Sequence, residues 1–139
     1  MTIKEIQEEI IDEFSMFDDW MQRYEYIIDL GNNLPLIQEA YKTDDNIIKG
    51  CQSKVWLKGE QKDDTIVFTA DSDAILTKGI IAILIRVFSN QNAFDILAAD
   101  TDFIDKIGLK EHLSPTRANG LVSMIKNIKI YALAFDAKK

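Results

Sequence analysis

The chain contains a single cysteine, Cys51, and a single histidine, His112. A lone cysteine closes no internal disulfide, so the cross-linked framework of small secreted domains is excluded and a reducing, cytoplasmic setting is expected. One cysteine and one histidine are also too few for a Cys/His metal site, which needs about four ligands, and no candidate ligand pair recurs at a fixed spacing, so no metal is expected. The six glycines are scattered and form neither a Walker loop nor a dinucleotide fingerprint. Basic charge is in deficit: 16 Lys and Arg against 23 Asp and Glu give a formal charge of −7. Those cations are dispersed, so the electrostatic footprint that attracts nucleic acid is missing. The longest apolar run, Ile80 to Ile85, is far short of the ~20 residues that span a bilayer. The opening "MTIKEIQEEI" lacks the basic stretch and apolar core of a secretory signal. Neither nucleic acid nor a membrane is an expected partner.

What remains is 139 residues, most economically one domain spanning residues 1–139. Ile3, Ile6, Ile10 and Phe14 recur at steps of three and four behind a Thr2-x-x-Glu5 capping box, which predicts an amphipathic helix. A second helix is expected from near Asp18 to Gly31, where glycine can take the left-handed C-terminal conformation. Pro35 suits the first turn of a short third helix through Ala40, and Thr43 to Asn46 reads as a loop. From Lys54 the period changes to two. Val55, Leu57 and Gly59, then Ile66, Phe68 and Ala70, predict a hairpin with Gln61 to Asp64 as its turn, Leu57 opposite Phe68 and Val55 opposite Ala70. Ile47 and Ile48 can begin a short third strand. The run Ile75 to Phe88 is too long for an ordinary strand and reads as a buried helix capped by the preceding Ser72 and Asp73. Short helices are expected after Asn92 and after Thr101, the latter closed by Gly108. A final helix starts at Ser114-Pro115 and carries Leu121, Met124, Ile125, Ile128, Ala132 and Phe135 on one face. Helices, then a hairpin, then helices imply an α+β domain: a small antiparallel sheet with helices packed on one face.

Cys51 is the residue with chemistry to explain. It lies between Gly50 and two small polar residues, Gln52 and Ser53, where the strand pattern begins. A buried bystander is one reading of a lone cysteine. A reactive loop tip is another: Gly50 frees the backbone, Gln52 and Ser53 supply donors, and Lys49 and Lys54 favour the thiolate. With no second cysteine, whatever adds to Cys51 leaves by transfer to another molecule. Cys51 with His112 also suggests a thiol hydrolase or a peroxide-reducing enzyme, and the acidic surface alone would suit an interaction module in which the cysteine is incidental. Asp71 and Asp73 flank a helix start, where capping is their ordinary role. Trp56 either fills the second sheet face or anchors an interface.

Four blocks carry a resemblance: "WMQRYEYIIDLGNNLP" (Trp20 to Pro35), "IKGCQSKVWL" (Ile48 to Leu57), "ADSDAILTKGIIAIL" (Ala70 to Leu84) and "HLSPTRANGL" (His112 to Leu121). In this order and spacing the chain resembles the SufE family of sulfur-acceptor proteins over nearly its whole length. The resemblance implies a SufE/IscU-like fold and a persulfide carrier that binds no cofactor itself. A partner cysteine desulfurase, using its own pyridoxal phosphate, would supply sulfane sulfur to Cys51, and an iron-sulfur cluster scaffold would receive it. It further implies that Gly50, Gln52 and Ser53 act as hinge and sulfur-cradling donors, that Asp71 and Asp73 lie near the loop, and that Arg117 and Asn119 brace the loop or touch the partner.

Overall fold

Helix α1 (Ile3–Ser15) begins where the apolar steps begin because its own side chains close its first turn. In the computed structural model, which describes residues 1–137, the Thr2 hydroxyl accepts from the Glu5 amide and the Glu5 carboxylate from the Thr2 amide. Two amides that a helix start leaves bare are thereby satisfied. Ile3, Ile10 and Phe14 are buried.

Helix α2 (Trp20–Gly31) starts slightly later than expected, behind an Asp19 cap. Its end also differs. Gly31 is helical and is followed by Asn32 in a right-handed conformation, so the expected left-handed glycine stop is absent. The glycine serves a close approach instead: a Cβ on Gly31 would lie 3.1 Å from the Gly79 amide nitrogen, and one on Gly79 only 2.1 Å from the Ile27 carbonyl oxygen. Glycine is needed here because two helix backbones touch.

Of the segment from Pro35 to Ala40, expected to be a helix, residues 35–38 are extended. The Pro35 carbonyl accepts from the Ala70 amide and the Ile37 amide donates to the Ala70 carbonyl, a parallel bridge at Leu36. An edge that offers both a donor and an acceptor outcompetes one isolated helical turn, which is costly to nucleate. Only two single 3-10 turns follow, Glu39–Tyr41 and Asp44–Asn46, the second inside the expected loop.

The sheet has two antiparallel strands, β1 (Val55–Lys62) and β2 (Thr65–Ser72). The third strand shrinks to one bridge between Ile47 and Trp56. The register is shifted from the expected one: Leu57 pairs with Ala70 and Gly59 with Phe68. The turn tightens to Asp63 and Asp64, with Asp63 at φ 53°, the left-handed conformation that two-residue hairpin turns require. A shift of two residues leaves the faces unchanged, so Val55, Leu57, Ile66, Phe68 and Ala70 are all buried. On the other face Trp56 stays partly exposed, with the Lys42 ammonium 5.5 Å from its ring centre.

Helix α3 (Ile75–Phe88) is the buried helix expected, with only Lys78 and Arg86 escaping burial between Thr77 and Phe88. Ser72 and Asp73 do not cap it in the expected way. The residue at its start is Ala74, whose amide donates to the Ser72 hydroxyl, while the Asp73 carboxylate accepts from the Lys54 amide. Both side chains thus tie the base of the hairpin together. Helices α4 (Ala93–Ala98) and α5 (Asp102–Lys106) follow as expected. Gly108 turns left-handed at φ 76° and starts an additional short helix, α6 (Leu109–His112). Helix α7 (Pro115–Ala137) begins with the Ser114 hydroxyl accepting from the Arg117 amide. It buries Leu121, Met124, Ile128 and Ala132 against β1, α3 and α4. Helix α3 touches α1, α2, α7 and β2, and is the centre of the core. Among the described residues no helix is long and apolar enough to cross a membrane.

Candidate functional site: a sheltered thiol

The loop before β1 turns at Gly50, whose φ of +95° suits glycine alone at little cost, and a Cβ there would also lie 2.6 Å from the Ser123 hydroxyl. The turn lays Cys51 against the second turn of α7. A Cβ on Gly120 would be 3.2 Å from Sγ, so that glycine leaves the space the sulfur occupies. The thiol donates to the Gly120 carbonyl at 3.6 Å, a long and weak contact. Cys51 is half-buried.

Burial pushes the Cys51 thiol above its ordinary value, because an anion loses more than a neutral group on leaving water. This reverses the expectation that Lys49 and Lys54 favour the thiolate. Both lysines are exposed. Lys49 lines a separate depression with Asp44, Asp45 and Lys126, and neither Lys49 nor Lys54 lines the cleft at the sulfur.

Sγ borders a cleft of about 260 Å³ with three walls. The loop supplies Cys51, Gln52 and Ser53; the start of α3 supplies Thr77 and Ile80; the start of α7 supplies Thr116, Arg117, Gly120 and Met124. Of the residues singled out in the sequence, Gln52, Ser53 and Arg117 are therefore brought together with Cys51, and Gly50 adjoins them. Asp73 fastens the Lys54 amide just beyond the loop. Asp71 does not join the cleft: its carboxylate is 2.7 Å from the Lys42 ammonium and 3.6 Å from that of Lys78. Asn119 is exposed on α7 and lies outside the cleft lining. Sequence reasoning missed Thr77, Thr116 and Gly120 as cleft residues. For Thr77 a signal existed, since it interrupts an otherwise apolar run.

His112 does not line the cleft either. Its ring stacks on Trp20 with centres 4.0 Å apart, and its carbonyl accepts from the Tyr24 hydroxyl. A Cys/His dyad needs the imidazole within hydrogen-bond reach of the thiol, and this imidazole is committed elsewhere. A larger cavity of about 540 Å³ lies between α2, β2 and α3. Its single ionisable lining residue is Arg86, whose guanidinium is held by Glu9 and Glu13.

Fold and site together define an α+β protein that presents one thiol at a glycine turn, sheltered between the starts of two helices. The chain belongs to the SufE family, the Fe-S metabolism associated domain, which matches residues 8–132, and so has a part in Fe-S metabolism. It is 45% identical over 127 residues to an uncharacterized SufE-like protein of Rhizobium meliloti, covering 88% of this chain and 91% of that one. It is 35% identical over 132 residues to SufE-like protein 1, chloroplastic/mitochondrial, of Arabidopsis thaliana, covering 94% of this chain but 36% of that longer protein. Among solved structures, the solution structure of a hypothetical protein from Thermus thermophilus matches with a TM-score of 0.77, covering 93% of this chain and 94% of that one. At 13% identity it shows the shared fold.

Proposed function

We propose that the protein is a persulfide carrier: Cys51 takes sulfane sulfur from a cysteine desulfurase, carries it, and delivers it to an iron-sulfur cluster scaffold. The observation that carries this reading is the placement of Sγ, half-buried on a loop that turns at Gly50 and bordering a cleft without a second thiol, a histidine or a carboxylate in its lining. Such a site is equipped to receive and release a group by exchange.

In the transfer step the Cys51 thiolate attacks the outer sulfur of a persulfide on the donor. A new S–S bond forms at Sγ, the donor's S–S bond breaks, and its electron pair stays on the donor thiolate, which can take up a proton. The donor's thiol is then free for another cycle, which is how the carrier would stimulate the desulfurase. Pyridoxal phosphate belongs to the donor, and the carrier needs no cofactor. The single long contact from Sγ to Gly120 is easily broken when the loop turns out toward a partner. A lone exchangeable thiol suits a reducing compartment such as the cytoplasm.

The test is intact-mass measurement after mixing with a desulfurase, free cysteine and pyridoxal phosphate. Cys51 is expected to gain about 32 Da, one sulfur. Cys51→Ser should abolish the gain while folding normally, and His112→Ala should leave it unchanged. No added sulfur on the wild-type chain would overturn the carrier reading, and loss of hydrolysis of a small thioester in His112→Ala, with no desulfurase present, would favour a Cys51/His112 hydrolase.

A further inference from the structure

The outer edge of β2 is covered by other segments at both ends and left open in the middle. The Ala70 amide donates to the Pro35 carbonyl and the Ala70 carbonyl accepts from the Ile37 amide; the Ile66 amide donates to the Gln91 carbonyl and the Ile66 carbonyl accepts from the Asn90 amide. Phe68 lies between them. Bonding alternates along an antiparallel strand, so its amide and carbonyl both point to this edge, away from β1. The amide donates to the Ser89 hydroxyl at 2.9 Å. The carbonyl has no hydrogen-bond partner among the described residues, and Phe68 is 0% exposed. Buried carbonyls are nearly always satisfied, so one left open marks a place where something else donates.

Phe68 lines the cavity of about 540 Å³ between α2, β2 and α3. That volume falls among the roughly 300–1,000 Å³ of small-molecule sites and far exceeds the roughly 30 Å³ share of one water. Leu30, Pro35, Val67, Ala82 and Ile83 give it apolar walls. Its charge is already matched within the protein, since Arg86 is held by Glu9 and Glu13. An anion would find no free cation there and a cation no lining carboxylate, so burying either would go uncompensated. The occupant suited to these walls is uncharged. The Ser89 hydroxyl, whose own proton has no acceptor among the described residues, lines the same cavity together with the side-chain amides of Asn33 and Asn90. The walls thus offer one open acceptor, the Phe68 carbonyl, and several donors. A lactam is complementary to that set: a flat apolar body with one N–H beside one carbonyl.

We propose that this cavity is a second binding site, for an uncharged planar lactam whose N–H donates to the Phe68 carbonyl. The site stands apart from the carrier reading, because none of its lining residues borders the Cys51 cleft. Helix α3 serves both, with Thr77 and Ile80 toward the sulfur and Ala82, Ile83 and Arg86 toward this cavity.

The test titrates the full chain with two probes of one shape: carbostyril, a benzo-fused lactam, and coumarin, the lactone in which a ring oxygen replaces the N–H. Phe68-Thr69 is the only Phe-Thr pair in the sequence, so isotopic labelling of Phe carbonyl carbons and Thr amide nitrogens isolates the Phe68 carbonyl in the NMR spectrum. Carbostyril is expected to shift that resonance in a saturable way, and coumarin to bind about tenfold more weakly or less, the size expected when a buried acceptor is left without its donor. Ala82→Leu, which fills the cavity from α3, should abolish the shift, and prior alkylation of Cys51 should leave it unchanged. The two probes on the wild-type chain decide the question even if Ala82→Leu fails to fold. The site is overturned if carbostyril leaves the Phe68 carbonyl unmoved, which would leave water as its partner, or if alkylated Cys51 abolishes binding, which would place the probe in the other cleft. Coumarin binding as tightly as carbostyril would reduce the cavity to an apolar hollow and overturn the role of the Phe68 carbonyl.

Discussion

Cys51 is protected and restrained by the same burial. A thiol pushed above its ordinary value reacts slowly near neutrality, because only the thiolate is nucleophilic. The sign follows from the direction of the shift: the folded state holds the proton more tightly. This group's contribution to stability is full below the unfolded thiol value and is lost as pH rises through the folded one. Alkylation of the folded chain should therefore show a midpoint above the ordinary ~8.5, and the denatured chain one near it. A folded midpoint at or below the denatured one would show that nearby cations, not burial, govern the sulfur. The loop residues Gly50, Gln52 and Ser53 were legible because they adjoin the cysteine in sequence. Arg117 was legible only through its block of family-like residues. Gly120, 69 positions from Cys51, had no local signal, since its small size matters only where another segment's sulfur presses on it.

At the scale of elements, periodicity identified the hairpin, the buried helix and the final helix, but not how they meet. A period of two cannot distinguish a register from one shifted by two residues, because both bury the same face. Leu57 opposite Phe68 and Leu57 opposite Ala70 are equivalent to the pattern, and the two-residue turn at Asp63 and Asp64 decides between them. Pro35 satisfied the rules for a helix start, yet Ala70 offered a better use for the neighbouring backbone. Glycine at 31 satisfied the rule for a helix stop but answers to the crossing of α2 and α3. That crossing is the most exacting contact in the fold. Gly79→Ala would place a Cβ 2.1 Å from the Ile27 carbonyl, where backbone and not a flexible side chain must yield. A loss of about 3 kcal/mol or more is expected by chemical denaturation, although alanine is the better helix former. A variant as stable as the wild type would mean that α2 and α3 can part without cost.

For the molecule as a whole, α3 is the post around which the other layers are arranged, and charged clusters fasten them. Arg86 on α3 bonds to Glu9 and Glu13 of α1, and the Tyr26 hydroxyl of α2 donates to Glu13. The Arg86 hydrogen bond holds the Glu13 carboxyl below its usual range, and burial together with Glu13 pushes the Tyr26 phenol up to about 12. Burial raises the Asp71 carboxyl, but hydrogen bonds from Lys42 and the Ser72 amide outweigh it and leave the group below its usual value. Depressed carboxyls contribute stability that is present above their unfolded values, near 4, and is lost as pH falls through the folded ones. The melting temperature should accordingly drop as pH is lowered from about 5 toward 3, and a flat profile across that window would show that these clusters contribute nothing. The sequence by itself determined the α+β class, the order of the main elements, the lone thiol and the family, because these depend on local spacing and on residues adjacent in the chain. Tertiary structure alone decided that burial pushes the thiol above its ordinary value, that His112 stacks on Trp20, and that Thr77 and Gly120 line the cleft at the sulfur. Each of these is a matter of burial or of distance between segments far apart in the chain, and neither quantity exists until the helices have packed.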